Sequence, residues 1–513
     1  IPHPHPTPAY WQTPPHDLST VSSASLPPTA TTVVIGSGIT ACSLVNALLQ
    51  KDPDADIVVC EARGLTSGAT GRNGGHLVSS AVADFSALQA DFGTAMAVKV
   101  AAFTLANVER MFEVVASGEL GPGVGEASEL RRVDKVLALR DDGAVGKLEA
   151  SLEAFEANMP ERWKGQMRMV GKGGLEEKYK LRNVAGGAIG KGGALWPYRL
   201  ITRAWAHLLS QHPNRLRIET WTPITSVVAT SSSADATQQH PYLLTTPRGP
   251  IAATEVVYCT NGHTGHLLPR LRQRPGTPGG GAALFPLRGT MTVQDCGPSF
   301  PDEGARRTLS FYGSVKVVLP PPPPNKNSSN NDPVFDLGLH YMQQNAATGA
   351  VFIGGESATA ADMLNADDSR ASATSLARLE GVLRAEFKDE VWSEKEEVKE
   401  EDGKKGRRRR RRHPEVTSSW SGIMGFTADG VPLVGRLPEA ATGRRGSAGK
   451  GGEWIAAGFN GYGMGNCWLS GEALAGMMRG GDVSGWLPEC YLATEERLAS
   501  FRSRKAAERL FGC

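Results

Sequence analysis

Val33-Val34-Ile35-Gly36-Ser37-Gly38-Ile39-Thr40-Ala41 is the stretch on which the fold turns. Three β-branched apolar residues run into a G-x-G-x-x-A turn, the pattern of a strand, a tight loop and a helix. Each small residue has a mechanical reason to be there. Gly36 permits the turn, Gly38 lets the loop backbone of Ser37, Ile39 and Thr40 approach a pyrophosphate, and Ala41 lets the helix pack close to the strand. The helix start adds partial positive charge and backbone donors for phosphate. Working outward, a strand is predicted at residues 31–35, a helix at 39–50 and a second strand at 56–60. That second strand ends at Glu61, 25 residues past Gly36, where a carboxylate can accept hydrogen bonds from both ribose hydroxyls of an adenosine.

Nicotinamide and flavin dinucleotides share this opening, so the following segment has to choose between them. Glu61-Ala62-Arg63 leads into Thr66-Ser67-Gly68-Ala69-Thr70-Gly71-Arg72-Asn73-Gly74-Gly75-His76, in which residues 68–76 hold four glycines. Such a run can lie flat against a large cofactor without steric conflict. Arg72 is placed to meet a phosphate and the loop backbone to reach a flavin, which favours FAD. Near the other end, residues 454–457 read as a buried strand, 458–465 as a glycine turn and 467–478 as a helix. A helix start there would stabilise negative charge on a reduced flavin ring, with Gly461 and Gly463 allowing close approach.

These blocks resemble the glycine/D-amino-acid oxidase (DAO) family of FAD-dependent oxidoreductases, which includes the sarcosine oxidases. The first block is residues 33–41, Glu61-Ala62-Arg63 and 66–75. A middle block is Gly187-Ala188-Ile189 with Leu195-Trp196-Pro197-Tyr198-Arg199-Leu200. The closing block is Gly425-Phe426-Thr427-Ala428-Asp429-Gly430-Val431-Pro432 followed by Gly458-Phe459-Asn460-Gly461-Tyr462-Gly463-Met464. The similarity spans roughly residues 30–480 outside three insertions. A sarcosine-oxidase-like, fungal-type member is suggested by the proline-rich start and by Tyr341-Met342-Gln343-Gln344.

The resemblance implies an α/β (α+β overall) architecture. A discontinuous Rossmann-like FAD-binding domain covers 31–80, 185–262 and 415–490, and a second antiparallel-sheet substrate domain covers 81–184 and 263–414. It also implies oxidation of an amine or amino-acid C–N bond by hydride transfer to the flavin, hydrolysis of the imine and reoxidation by oxygen. Val227 falls where the family's adenine-contacting backbone lies, and Thr260-Asn261-Gly262 resembles its crossover between domains. Asp429-Gly430 is read as a cofactor contact. Substrate-site candidates are His76, Arg288, Tyr312, Tyr341, Trp420 and Tyr462: Arg288 for a substrate carboxylate, the aromatic residues as walls around an amine, His76 facing the flavin ring. Some relatives attach flavin to a cysteine just ahead of the closing block. Residues 417–426 contain none, so a non-covalent FAD is expected.

Composition sets the remaining bounds. The 513 residues carry 55 Lys+Arg against 53 Asp+Glu, a net charge of +2, which gives no argument for nucleic acid or an acidic membrane surface. No apolar run suggests a membrane span, and neither a signal peptide nor a peroxisomal tail is seen. Seven scattered cysteines without a CxxC pair argue against a metal site or disulfide framework and for a cytoplasmic location. Residues 84–117, 143–158 and 200–210 are predicted helical, and 215–220, 242–246 and 255–259 are predicted strands. Residues 1–30 read as an extended arm and 491–513 as a helix and tail. Residues 274–282, 320–331 and 393–412 read as disordered insertions, the last with an arginine run at 407–412. A monomer or small homo-oligomer acting on a small amine fits these bounds. The competing classes are a flavin dehydrogenase with another electron acceptor and an FAD-binding assembly protein without catalysis.

Overall fold

A computed structural model of the chain describes residues 1–230, 240–272, 282–313, 318–319, 333–395, 409–411, 413–444 and 451–501. The opening motif forms as its residue types require. The strand Thr29–Ile35 enters the helix Ile39–Lys51, and Ile57–Cys60 pairs parallel to the first strand. The main path of the first sheet runs Leu433–Arg436, Gly452–Ala457, Gly249–Tyr258, Thr29–Ile35, Ile57–Cys60, Leu216–Glu219, with Ser226–Ala229 and Tyr242–Thr246 branching from it. Its central pairs are parallel, so apolar residues occupy both faces: the four residues Ile57–Cys60 are all buried.

Eleven of the thirteen residues of Ile39–Lys51 are buried, because the helix lies between this sheet and the helix Cys467–Met478. The two helices cross at glycine distance. A Cβ on Gly471 would lie 2.8 Å from the Leu44 nitrogen, and Ser43 donates to the Trp468 carbonyl. The closing block is therefore folded directly onto the opening one.

The second sheet runs Glu415–Thr427, Leu284–Asp295, Val351–Thr359, Val334–Gln344, Arg307–Tyr312, Arg131–Leu139, Gly186–Ala194, His76–Leu77. It is mixed rather than wholly antiparallel, since Arg307–Tyr312 runs parallel to Arg131–Leu139. Two of its strands come from segments assigned by resemblance to the FAD-binding domain. Gly186–Ala194 pairs with Arg131–Leu139 along nine residues, and Glu415–Thr427 pairs with Leu284–Asp295 across a single bulge. Their long registers outweigh their closeness in sequence to cofactor-binding segments.

Two other expectations are corrected. The helix expected at 84–117 is two, Ala81–Phe92 and Thr94–Ala116, broken at Gly93, whose φ of +79° only glycine adopts readily. The N-terminal arm packs against the rest of the chain. Trp11 is 1% exposed, stacks on Phe352 with centroids 4.0 Å apart and donates to the Asn73 carbonyl at 2.6 Å. Of the insertions, 274–281, 320–331, 396–408 and Arg412 lie outside the described residues, as does the tail beyond 501. Within the last insertion Ser393–Lys395 and Arg409–Arg411 pair as antiparallel strands, where disorder was expected.

Truncating a buried Trp leaves a large cavity, so Trp11→Ala is expected to destabilise the protein by about 3 kcal/mol. A urea midpoint unchanged from wild type would show that the arm is not part of the core.

Candidate active site

A cavity of about 750 Å³ runs between the two sheets, and the dinucleotide turn forms one end of its wall. Gly36 has a φ of +104°, and a Cβ on it would lie 2.7 Å from the Cys259 carbonyl oxygen. Only glycine lets these neighbouring strand ends approach so closely. Gly38 stands at the N-cap of Ile39–Lys51 and has no side chain of its own to cap it. The Ile39 N–H donates to Thr70 Oγ1 at 3.0 Å, which brings the 67–76 loop over the helix start. Glu61 is 8% exposed. Its Oε2 accepts from the Ser37 N–H at 3.1 Å and hydroxyl at 2.8 Å, and its Oε1 accepts from the Arg63 N–H at 3.1 Å.

Residues 459–465 and the start of the helix Cys467–Met478 bound the cavity elsewhere. Two asparagines hold this turn. Asn261 Oδ1 accepts from the Gly458 N–H at 3.1 Å, and Asn460 Oδ1 accepts from the Thr427 N–H at 2.9 Å. The remaining wall is a face of the second sheet, read at every other residue: Lys135, Leu137 and Leu139; Ser310 and Tyr312; Leu337, Leu339 and Tyr341.

The model for the FAD dependent oxidoreductase family, DAO, matches residues 31–477 of this chain. The chain belongs to that family. Glycine oxidase from Geobacillus kaustophilus is similar in structure, with a TM-score of 0.60, 16% identity, and 91% of this chain and 99% of that chain covered. L-proline dehydrogenase from P. horikoshii superposes with a TM-score of 0.60 at 16% identity, covering 93% of this chain and 100% of its own. Iminodiacetate oxidase from Chelativorans sp. BNC1 does so with a TM-score of 0.56 at 16% identity, covering 88% and 96%. At these identities the likeness concerns the fold. No curated protein sequence matches the chain significantly.

The DAO family's cofactor is FAD, and the residues present fit it. The glycine cradle at Gly36 and Gly38, the helix start and the Glu61 carboxylate form one wall of the same cavity as the closing turn. Of the expected cofactor residues, Gly36, Ser37, Gly38, Ile39, Thr40, Glu61, Ala62 and Arg63 bound this space. So do Gly68, Ala69, Arg72, Asn73, Gly74 and His76, and, further along, Thr260, Asn261, Gly425, Phe459, Gly461, Tyr462, Gly463 and Met464.

Others do not. Ser67 and Gly75 shape the loop from behind: the Ser67 carbonyl accepts from Gln12 and Arg72, and a Cβ on Gly75 would lie 2.4 Å from Gln343 Nε2. Gly262 and Gly458 are packing glycines against Met424 and Thr427. Asp429, with Gly430 beside it, turns away, because its carboxylate is paired with Arg497 at 2.8 Å. Val227 is held in the strand Ser226–Ala229, and Pro223 and Ile224 reach the cavity in its place.

Arg72 touches the wall, but its guanidinium is engaged by protein. It donates to the carbonyls of Ser67 at 3.1 Å, Ser421 at 2.8 Å and Thr7 at 2.5 Å, and lies 3.6 Å from Asp368. It acts as a strut of the loop.

Four of the six substrate-site candidates meet in the cavity: His76, Tyr312, Tyr341 and Tyr462. Burial, reinforced by Lys135 and Arg131, holds the His76 imidazole down at about 4, and its Nε2 has no hydrogen-bond partner. Its ring meets Tyr341 edge-on at 5.8 Å. Arg288 and Trp420 do not bound the cavity. Arg288 pairs with Asp362 and is 1% exposed, and Trp420 donates to the Arg72 carbonyl at 2.8 Å inside the cluster around Trp11.

Among the cavity residues that sequence reasoning missed are Lys135, His263 and Glu356. Lys135 shares its strand face with Leu137 and Leu139, donates to the Ser79 carbonyl at 2.9 Å, and is held down at about 8 by burial. Burial lowers His263 to about 3, and burial raises Glu356 to about 7. The faint signal for Glu356 was a lone charged residue in the strand Val351–Thr359, whereas Lys135 stands among Arg131, Arg132 and Asp134 and gave none.

Gly36→Ala forces a side chain into the Cys259 carbonyl at a φ that disfavours it. The variant is expected to fold but to weaken FAD affinity at least tenfold, measured by flavin fluorescence titration of the apoprotein. Affinity equal to wild type would remove this turn from the binding site.

Proposed function

We propose that the chain oxidises a C–N bond of an amine or amino acid to an imine that water hydrolyses, with oxygen as the final acceptor. The observation that carries this is that one cavity is bounded by the dinucleotide turn, by the closing turn and by an aromatic sheet face, so cofactor and small substrate share it. FAD, when bound, supplies a hydride acceptor at N5.

The chain's own residues supply the rest. Glu61 is placed for the ribose hydroxyls and the Ile39–Lys51 helix start for the pyrophosphate. The start of Cys467–Met478 brings the positive end of a helix dipole to the wall where negative charge is to be stabilised. The rings of Tyr312, Tyr341 and Tyr462 enclose an amine and displace water from it. His76, neutral above about pH 4, offers an unpaired ring nitrogen without adding charge.

The attachment is non-covalent in this proposal. The cavity cysteines are Cys60, Cys259 and Cys467. Burial pushes Cys60 and Cys467 up to about 12 and Cys259 higher, so none is a thiolate at neutral pH. A cytoplasmic monomer or small homo-oligomer, sarcosine-oxidase-like in its choice of small amines, completes the proposal. It is supported by the scattered cysteines and the near-balanced charge.

Mixing the FAD-loaded protein anaerobically with a panel of primary and secondary amines and amino acids is expected to bleach the absorbance at about 450 nm with at least one of them. Air should restore the colour with uptake of oxygen. Bleaching without oxygen uptake would make the protein a dehydrogenase, and stable FAD that no amine bleaches would sink the catalytic assignment. Acid precipitation is expected to leave a colourless pellet and a yellow supernatant. A yellow pellet would show a covalent bond.

A further inference from the structure

Glu356 is the acid that the cavity holds without an assigned task. It lies on the strand Val351–Thr359, is 5% exposed and bounds the cavity. Its Oε1 accepts from the Ser375 hydroxyl on the helix Ala373–Glu386. Its Oε2 has no hydrogen-bond partner. A buried carboxylate oxygen without a donor is costly unless something in the cavity supplies one.

The nearby protein groups do not supply it. Arg288, on Leu284–Asp295, gives its two Nη atoms to Asp362 and the Asp367 carbonyl, and its Nε makes no hydrogen bond to Glu356. The Thr290 hydroxyl lies close enough to favour the ionised carboxyl, yet it makes no well-formed hydrogen bond to it. Asp362 and Tyr341 complete the titratable groups that bear on Glu356.

Tyr341 gives the position. A Cβ on Gly74, in the FAD-binding loop, would lie 2.7 Å from Tyr341 Cε2, and one on Gly354 would lie 2.6 Å from Tyr341 Oη. Gly354 is two residues before Glu356 on the same strand. The ring therefore bridges from the cofactor loop to the strand that carries the unpaired oxygen. A substrate lying along that ring would reach both.

We infer that Glu356 Oε2 receives the amine of the substrate, binding the protonated form of a primary or secondary amine and removing one N–H proton before oxidation. This rests on the proposed amine oxidation. In the step, an N–H bond of the ammonium breaks and the proton forms an O–H bond with Oε2. The neutral amine then gives its α-hydride, two electrons with one proton, to the flavin, and leaves as an imine after loss of its remaining charge as a proton to solvent. Glu356 returns its proton to solvent before the next turnover. Burial, against the opposing pull of Ser375, Thr290 and Arg288, raises its carboxyl to about 7, close to where a proton acceptor works at neutral pH. Below about pH 7 the carboxyl is protonated and cannot accept, so amine binding and kcat/KM rise as pH increases through this value.

Glu356→Gln keeps an oxygen for Ser375 and removes the charge and the base. FAD content is expected to match wild type. The melting temperature at pH 8 is expected to be equal or higher, because a folded-state value raised by burial means that ionisation opposes folding above about 7. The binding readout is the perturbation of the flavin spectrum by butylamine, benzylamine and N-methylbenzylamine under anaerobic conditions, with 1-butanol as neutral control. Wild type should bind the amines more tightly at pH 8 than at pH 6. The Gln variant should bind at least tenfold more weakly at pH 8 and lose the pH dependence, with 1-butanol indifferent to both. Ser375→Ala, which frees Oε1 but leaves the acid, should change binding less than threefold. Amine binding that is independent of pH and of Glu356→Gln overturns the inference, as does the absence of any perturbation in wild type. Glu356-dependent binding without bleaching would uphold the amine receptor and sink the oxidation.

Discussion

Two guanidiniums and one carboxylate, Arg63, Arg72 and Asp368, meet in the interior and tie the cofactor loop to everything around it. Asp368 is 0% exposed, and both Arg63 Nη1 at 2.9 Å and Arg72 Nε at 3.6 Å reach it. Burying three charges is expensive, and it is tolerated only when nearly every polar atom is matched. The matching comes from all sides: Ser67 within the loop, Thr7 from the arm, and Ser421 from the second sheet. Residues 67–76 are therefore held by three separate parts of the chain. Two cations against one anion leave a net positive charge beside the cavity, and burial lowers Arg72 only to about 10, so it stays charged at neutral pH.

From that anchor the cavity follows by periodicity. The second sheet lays alternate residues of neighbouring strands along one wall, which turns Lys135, Tyr312 and Tyr341 inward together although 206 residues separate the first from the last. The opposite wall comes from the two βα turns, and these are held at contact distance by the crossing of Ile39–Lys51 with Cys467–Met478 at Gly471. The two ends of the cavity are built by different physics. One is backbone donors and glycines fitted to a dinucleotide. The other is aromatic rings and two unmatched polar atoms, His76 Nε2 and Glu356 Oε2, that are open to a ligand.

The sequence by itself determined the dinucleotide-binding half of the protein. Gly36, Gly38, Ala41 and Glu61 act through local geometry, a turn, a helix start and a strand end, so their spacing along the chain carries their meaning. The same holds for Gly461 and Gly463 in the closing turn. What only the tertiary structure decided were the roles set by partners far along the chain. Arg72 is a strut because Thr7 and Ser421 reach it, Asp429 is out of the site because Arg497 pairs with it, and Arg288 is structural because Asp362 neutralises it. Lys135 and Glu356 face the cavity because of the register of a sheet assembled from distant strands. Whether a charged side chain is structural or functional depends on what else is buried beside it, and burial is a property of the assembled fold.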